Sequence, residues 1–548
     1  MYLRSMRIEN FRGIREGFVT FEESTVLIGE NDCGRTSVIE VLVLLLGSSQ
    51  EGFEKCLRPV HFHRPDLGTA DTIRVNLHIA ESMPGQWLLP PRLKKAFPSS
   101  GGRVREFDFE FLATLNPETR EINHRILVTS TPETGSVVDG SGEALRWLRE
   151  LIPVLWLRSG LFGNSLQRGA PESSVAIGRQ DPDLSALAEH YRNILSGEAL
   201  DLFSELDAGA EAAQRVLDRH KTVFESAAPL MGAMASDILN RRHVAAATGI
   251  PTNTSSYKIG ALLLLGAVLE LVQRKMSSFG RPILVIENPE TNLHPMTVAA
   301  AWKIIERLTW QKLIVTNSGT FLARCPLGSI RRLTRSHGRM KEWSVKPRLL
   351  SRDALRRVSY HLRSRRASAM FARCWLLVEG ETEYWILPEV ARICGFDFGA
   401  EGIECVEFAQ CGLVPLTKLA DHLGIQWHVL VDGDEAGERY AQAIAGSQRR
   451  SQRSAQVTCI QERDIEHCFW GNGFADTIQR LAYPAGSTGL LRGSGSNAIR
   501  RAIEKSSKPL LALKLIEAVA ERGVRSVPPV IRQVIESSVE SARRASIP

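Results

Sequence analysis

Short apolar runs that end in an acid or a glycine-rich turn punctuate this chain. Val26-Leu27-Ile28, Ile283-Leu284-Val285-Ile286, Lys312-Leu313-Ile314-Val315-Thr316, Trp375-Leu376-Leu377, His428-Val429-Leu430 and Val457-Thr458-Cys459-Ile460 all have strand length. Little polar alternation interrupts them, as expected of parallel strands buried on both faces. Helical periodicity fills much of the rest. A helix is predicted from Thr36 through Val38-Ile39-Glu40-Val41-Leu42, and apolar residues recur at helical spacing from Leu200 to Phe224. Ile259 to Leu269 reads as a buried helix, too short for a bilayer and stopped by Glu270. Ser506 to Glu521 reads as an amphipathic helix beginning near Lys508-Pro509, with proline in its first turn. The pattern is α/β.

Two of the strands in the second half run into acidic turns: Val378-Glu379-Gly380-Glu381-Thr382-Glu383 and Val431-Asp432-Gly433-Asp434-Glu435. Acids just past the ends of neighbouring parallel strands converge at one sheet edge. Glu379 and Glu383 are four apart, so a helical turn brings them to one side. Asp432 and Asp434 are two apart, so an extended segment does the same. Gly433 and Gly437 permit close backbone approach. Four carboxylates in one cleft repel one another unless a cation lies among them, and oxygen-only ligands suit Mg²⁺ or Mn²⁺ over zinc. A further acidic turn, Gln461-Glu462-Arg463-Asp464-Ile465-Glu466, offers Glu466 as an additional ligand, with Asp464 the alternative. Lys508, or alternatively Lys514, is the candidate cation for the transition state of phosphodiester hydrolysis. Taken singly, each segment also fits a solvated charged turn.

The first half carries a strand-loop-helix of another kind. Val26-Leu27-Ile28 leads into Gly29-Glu30-Asn31-Asp32-Cys33-Gly34-Arg35-Thr36-Ser37, a Gly-x₄-Gly loop opening a helix. Such a loop binds phosphate through inward backbone N–H groups and the helix N-terminus, with Gly29, Asn31, Gly34, Thr36 and Ser37 around the nucleotide and Thr36 on Mg²⁺. Arg35 stands where a lysine normally reaches the β- and γ-phosphates; it keeps the charge as a broad planar fork. The strand from Ile283 ends in Glu287-Asn288-Pro289-Glu290 and resembles the Walker B segment of an ABC-type ATPase, which implies a metal-holding acid at Glu287 and places Asn288 where a proton-accepting glutamate is usual, with Glu290 the alternative acid. Asn317 follows the strand from Lys312.

Composition narrows the partners. At 548 residues the chain has room for two to four domains; 43% hydrophobic and 24% charged residues describe a globular protein. A net charge of +7 favours an anionic partner. Nine cysteines without a CxxC pair read as reduced thiols of a cytoplasmic protein, not a disulfide framework or a zinc site. Neither a signal peptide nor a membrane segment is expected. Arginines cluster at Arg356-Arg357 and Arg363-Ser364-Arg365-Arg366, where a basic linker (346–370) is expected, and again at Arg449-Arg450-Ser451-Gln452-Arg453.

The first-half motifs resemble an ABC-type (RecF/SMC-like) P-loop ATPase: the phosphate loop, a Walker B-like strand ending at Glu287, and a sensor strand with Asn317 at the usual histidine position. Ser256 and Gly260 stand at the signature motif. The second-half acids resemble a Toprim domain, whose glutamates fall on Glu379 and Glu383 and whose Asp-x-Asp falls on Asp432 and Asp434. An ABC-type ATPase domain (1–345, with a helical insertion at about 150–250) joined to a C-terminal Toprim α/β domain (371–548) is similar to the OLD (overcoming lysogenisation defect) family of ATP-dependent endonucleases. The resemblance implies Mg²⁺ or Mn²⁺ and ATP as cofactors, DNA as partner, and a homodimer through the ATPase half, the insertion either pairing subunits or covering the sheet. A partner protein and a role in phage defence or DNA processing are compatible with it. The differences at Arg35, Asn288 and Asn317 imply that nucleotide acts mainly as a bound regulator. A Toprim-containing DNA clamp that does not cut is the competing expectation; topoisomerase and primase rank below, for want of a recognisable tyrosine context at Tyr440 or Tyr483.

Overall fold

The computed structural model describes residues 2–47, 57–64, 71–81, 104–157, 283–291, 310–446, 456–483 and 495–545, with short internal gaps and a few positions between 298 and 306. The helical element expected at about 150–250, the signature-like Ser256 and Gly260, the apolar run from Ile259 and the basic run 449–453 lie wholly or almost wholly outside them. The chain divides into two compact units, Met1–Glu342 and Trp343–Pro548.

In the first unit, twelve described strands form one sheet. They are β1 (Tyr2–Phe11), β2 (Ile14–Thr20), β3 (Ser24–Gly29), β4 (Thr72–Ala80), β5 (Glu106–Leu115), β6 (Ile122–Thr131), β7 (Gly135–Asp139), β8 (Val154–Leu157), β9 (Ile283–Glu287), β10 (Gln311–Val315), β11 (Ile330–Ser336) and β12 (Arg339–Ser344). Helices α1 (Arg35–Leu46) and α2 (Glu143–Leu151) pack together. The sheet order is β7-β6-β5-β4-β1-β2-β12-β11-β3-β10-β9-β8. Its β8 to β11 limb is parallel, with β3 between β10 and β11 and β9 beside β10. The three strands expected from apolar runs therefore lie side by side. They are buried almost end to end, as the uninterrupted pattern requires.

The antiparallel limb was not anticipated, although its signal is present. In β5, Phe107, Phe109, Phe111, Ala113 and Leu115 are buried and alternate with polar residues, the period of a strand with one wet face. These rings join the core that includes Leu77, Val128 and Leu148.

The second unit holds a four-stranded parallel sheet in the order β14 (Ile403–Glu407), β13 (Cys374–Val378), β15 (Gln426–Val431), β16 (Val457–Cys459). Its helices are α3 (Arg352–Arg365), α4 (Glu381–Ile393), α5 (Leu413–Leu423), α6 (Glu435–Gly446), α7 (Ile465–Phe469), α8 (Ala475–Ala482), α9 (Gly495–Lys505), α10 (Lys508–Arg522) and α11 (Pro529–Ala545). Strand β13 is fully buried, and α4, α10 and α11 close over one face through Ile386, Leu387, Leu511, Leu515, Ile531 and Ile535. Burying each such side chain contributes roughly 1.5–3 kcal/mol.

The expected basic linker is instead a structured part of this unit. Residues 352–365 form α3, capped by the Ser351 hydroxyl accepting from the Ala354 N–H. Ala354, Val358, His361 and Leu362 are buried at helical spacing, and α3 packs on α5. High arginine content masked that apolar stripe.

Candidate metal centre and nucleotide loop

Register fixes the acidic site. Leu377 pairs with Val429 across parallel β13 and β15, so Glu379 leaves its strand one residue before Asp432 leaves the neighbour. Adjacent strands lie about 4.8 Å apart, so both acids emerge at one sheet edge. Gly380, extended, ends the strand and caps α4; its N–H donates to Glu383 Oε2 at 3.2 Å. Glu383 is thereby turned back toward the strand ends and buried. Asp434 Oδ1 accepts from the Gly437 N–H at 2.8 Å at the start of α6. The two glycines here have no room for a side chain. A Cβ on Gly433 would lie 2.3 Å from the Glu462 carbonyl oxygen, and one on Gly437 only 1.9 Å from that of Asp432.

The third acidic turn resolves into two roles. Asp464 caps α7, accepting from the His467 N–H at 2.8 Å and lying 2.6 Å from His467 Nδ1. Glu466 is buried, and Thr382 donates its hydroxyl proton to Glu466 Oε1 at 2.9 Å. Of the two alternatives, Glu466 is the one held inward. Sequence reasoning overlooked Thr382, whose place between two candidate ligands was the available hint.

Electrostatics shows how closely these groups sit. Burial, then Glu383, Glu379, Asp464 and Glu466 in turn, push Asp432 up to about 8. Burial and Glu466 raise Glu383 to about 7, against its hydrogen bonds and Lys508. Glu379 is raised by burial and by Asp434, and lowered by Lys508; its Oε2 is buried without a hydrogen-bond partner. Among the described residues no three His, Cys, Asp or Glu side chains form a closed ligand shell as they stand. The donor set nevertheless fits a hard divalent cation: carboxylate oxygens only, mutually destabilised, one of them buried and unpartnered. Lys508 begins α10, which packs along α4, and its charge is felt at Glu379 and Glu383. Lys514 is occupied elsewhere, 2.6 Å from Glu517 on the surface.

In the first unit, the loop from β3 to α1 has the backbone of a phosphate cradle. Gly29 and Gly34 have positive φ (151° and 105°), and a Cβ on Gly29 would sit 2.4 Å from the Leu333 carbonyl oxygen. Asn31 and Thr36 are exposed and Ser37 half-buried at the helix start. Glu287 ends β9 level with Val315 of β10, whose carbonyl accepts from the Asn288 N–H at 2.7 Å. Arg35 is buried, and its Nη1 donates to Asn317 Oδ1 at 2.6 Å and to the Thr316 carbonyl at 3.2 Å. The Asn317 N–H in turn donates to Glu290 Oε1 at 3.1 Å. Two of the three positions where the sequence departs from the ABC-type pattern, Arg35 and Asn317, are thus bonded to each other.

A glycine loop one strand removed from a Walker B-like strand in the same parallel sheet, followed by a Toprim-type acidic edge, defines a two-part protein: an ATPase domain and a Toprim domain. Family comparison agrees. A family model described as an AAA ATPase domain matches residues 1–101, one described as a protein of unknown function (DUF2813) matches 137–369, and one described as the overcoming lysogenization defect protein-like Toprim domain matches 370–434. The uncharacterized protein YbjD of Escherichia coli (strain K12) is 34% identical over 99% of this chain and 99% of its own. The chain belongs to the OLD-like family that combines these ATPase and Toprim domains, together with that protein. Among solved structures, the C-terminal region of the Xanthomonas campestris pv. campestris OLD protein is 21% identical, covering 32% of this chain and 97% of that one, with a TM-score of 0.26. The C-terminal region of the Burkholderia pseudomallei OLD protein is 17% identical over 31% of this chain and 99% of its own, TM-score 0.26. The SMC head domain from Thermotoga maritima is 12% identical over 63% and 100%, TM-score 0.30.

Proposed function

We propose that this protein is a divalent-metal-dependent DNA endonuclease, nicking or cleaving, whose ATPase domain binds ATP as a regulator. The observation that carries the reading is the convergence of Glu379, Glu383 and Asp432 at the ends of adjacent parallel strands, where burial first and neighbouring carboxylates next raise all three. Carboxylates raised in this way favour either protons or a metal, and at neutral pH millimolar Mg²⁺ or Mn²⁺ competes effectively.

Glu379, Glu383, Asp432 and Asp434 would hold the metal, with Glu466 assisting under the control of Thr382. A divalent cation held there would supply activation of a water and stabilisation of the departing oxygen of a phosphodiester. Lys508 adds a positive charge on the α10 side of the same cleft, where negative charge develops. In the ATPase domain, Gly29, Asn31, Gly34, Thr36 and Ser37 would cradle the phosphates, Thr36 and Glu287 would hold Mg²⁺, and Arg35, Asn288 and Asn317 would serve the γ-phosphate. Asparagine at 288 removes a proton acceptor, which favours occupancy over turnover. The further readings are a homodimer through the ATPase half, a cytoplasmic location, and work in phage defence or DNA processing, with a partner protein compatible. Among the described residues no helix is long and apolar enough to cross a membrane.

Incubation of the purified protein with supercoiled plasmid under Mg²⁺, Mn²⁺ or EDTA, each with and without ATP, tests this directly. Relaxed or linear product with Mn²⁺ or Mg²⁺, absent in EDTA and absent for Glu379→Gln and Asp432→Asn, is the expected result. Plasmid left intact under every metal, with binding retained, would instead establish the non-cutting clamp.

A further inference from the structure

Helix α3 carries an arginine stripe and ends just before Arg366, which is tied to residues flanking the acidic strand ends. At 100° per residue, Arg352, Arg356, Tyr360 and Arg363 fall within an arc of about 80° on one face. All four are exposed, Tyr360 by 75%. The opposite face, Ala354, Val358, His361 and Leu362, is the buried one. Among the described residues Arg352 and Arg356 have no carboxylate partner. The exposed side of the helix is strongly cationic, with Arg352, Arg356, Arg357 and Arg363 against the single acid Asp353 in the first turn, over about 16 Å of helix.

Its placement gives the stripe a purpose. Just past the end of α3, Arg366 donates to the Tyr384 hydroxyl at 2.7 Å, lies 3.9 Å from that ring's centroid, and pairs with Glu407 at 3.6 Å. Tyr384 follows Glu383 in α4, and Glu407 ends β14 opposite Val378, the residue before Glu379. The C-terminal end of α3 is therefore pinned to the sheet edge where the carboxylates emerge. The helix packs against α5, and the charge of Arg357 in its second turn is felt at Cys411, just past the end of β14.

We propose that the Arg352–Arg356–Tyr360–Arg363 face of α3 is a binding track for a single-stranded stretch of DNA leading to the acidic site. Arginines spaced along one face match the phosphate backbone, and an exposed ring flanked by them offers a stacking platform for an unpaired base. A duplex presents no free base face to Tyr360, so the track favours single strands. The inference rests on the nuclease reading for the identity of the partner, but it is testable without cleavage.

The test measures binding of the full-length protein to a labelled oligo-dT and to a duplex of equal length, in EDTA, across a salt series. Three lost phosphate contacts in Arg352→Ala/Arg356→Ala/Arg363→Ala should lower the oligo-dT salt slope by about 2, at roughly 0.7 per contact. Tyr360→Ala should weaken oligo-dT binding about tenfold and leave duplex binding unchanged, while Tyr360→Phe retains wild-type affinity. An unchanged slope in the triple variant, or equal losses for Tyr360→Phe and Tyr360→Ala, overturns the track. So does wild-type protein that binds no oligo-dT. The two readings fail separately. Metal-dependent cutting by a triple variant that binds as wild type removes the track and keeps the nuclease; stripe-dependent binding without cutting under any metal does the reverse.

Discussion

Asp432 is the residue under most electrostatic strain at the Toprim edge. Its ordinary value of 3.8 is raised to about 8, and Glu383 moves the same way, from 4.5 to about 7. Both folded values exceed the unfolded ones, so the folded chain holds protons that the unfolded chain has lost across about pH 4 to 8. Without metal, stability should therefore fall as pH rises through that window. A divalent cation competes with those protons, so Mn²⁺ or Mg²⁺ should raise the melting temperature more at pH 8 than at pH 5. Asp432→Asn should flatten the metal-free trend and abolish the metal effect. Thermal scans at pH 5, 6.5 and 8, with and without Mn²⁺, check this; about 2–4 °C corresponds to 1 kcal/mol for a unit of this size. A second prediction concerns Thr382, whose hydroxyl orients Glu466. Thr382→Ala should reduce metal-dependent cleavage about 10- to 100-fold, with Thr382→Ser close to wild type, read from initial nicking rates over a metal titration.

At the scale of elements, the strand exits do the positioning. The acids were legible because β13 and β15 are short apolar runs whose first polar residues mark the sheet edge, and the parallel register then places them together. The choice between Glu466 and Asp464 was not legible, because it depends on which side chain caps α7. The choice between Lys508 and Lys514 depends in the same way on how α10 packs against α4. Neither contact leaves a periodic mark. The antiparallel strand β5 did leave one, in its alternating phenylalanines, whereas the apolar stripe of α3 was hidden among its arginines. The tight turn after β15 yields a prediction of its own. A methyl on Gly437 would collide with the Asp432 carbonyl oxygen, so Gly437→Ala should shift the Asp432 turn and destabilise the unit by about 1–3 kcal/mol. Calorimetry of the full chain should show the loss in one transition, together with a weaker response to Mn²⁺.

On the scale of the whole molecule, two units with separate cores carry the ATPase and the Toprim domain. The antiparallel limb beside the nucleotide strands and the helices α8 to α11 beside the Toprim sheet are additions that motif order alone does not disclose. With asparagine at 288, the ATPase unit should bind ATP yet turn it over slowly, with little stimulation by DNA. Nucleotide-binding and phosphate-release assays on the wild type and on Arg35→Ala check this; brisk DNA-stimulated release that Arg35→Ala abolishes would show a working motor instead.

The guanidinium of Arg35 is engaged by Asn317 and the Thr316 carbonyl, and Asn317 joins it to Glu290. On the proposed nucleotide reading, a triphosphate contacting Arg35 would have to break those bonds, so part of its binding energy would be consumed in releasing the loop. Each 1.4 kcal/mol so consumed weakens apparent affinity tenfold.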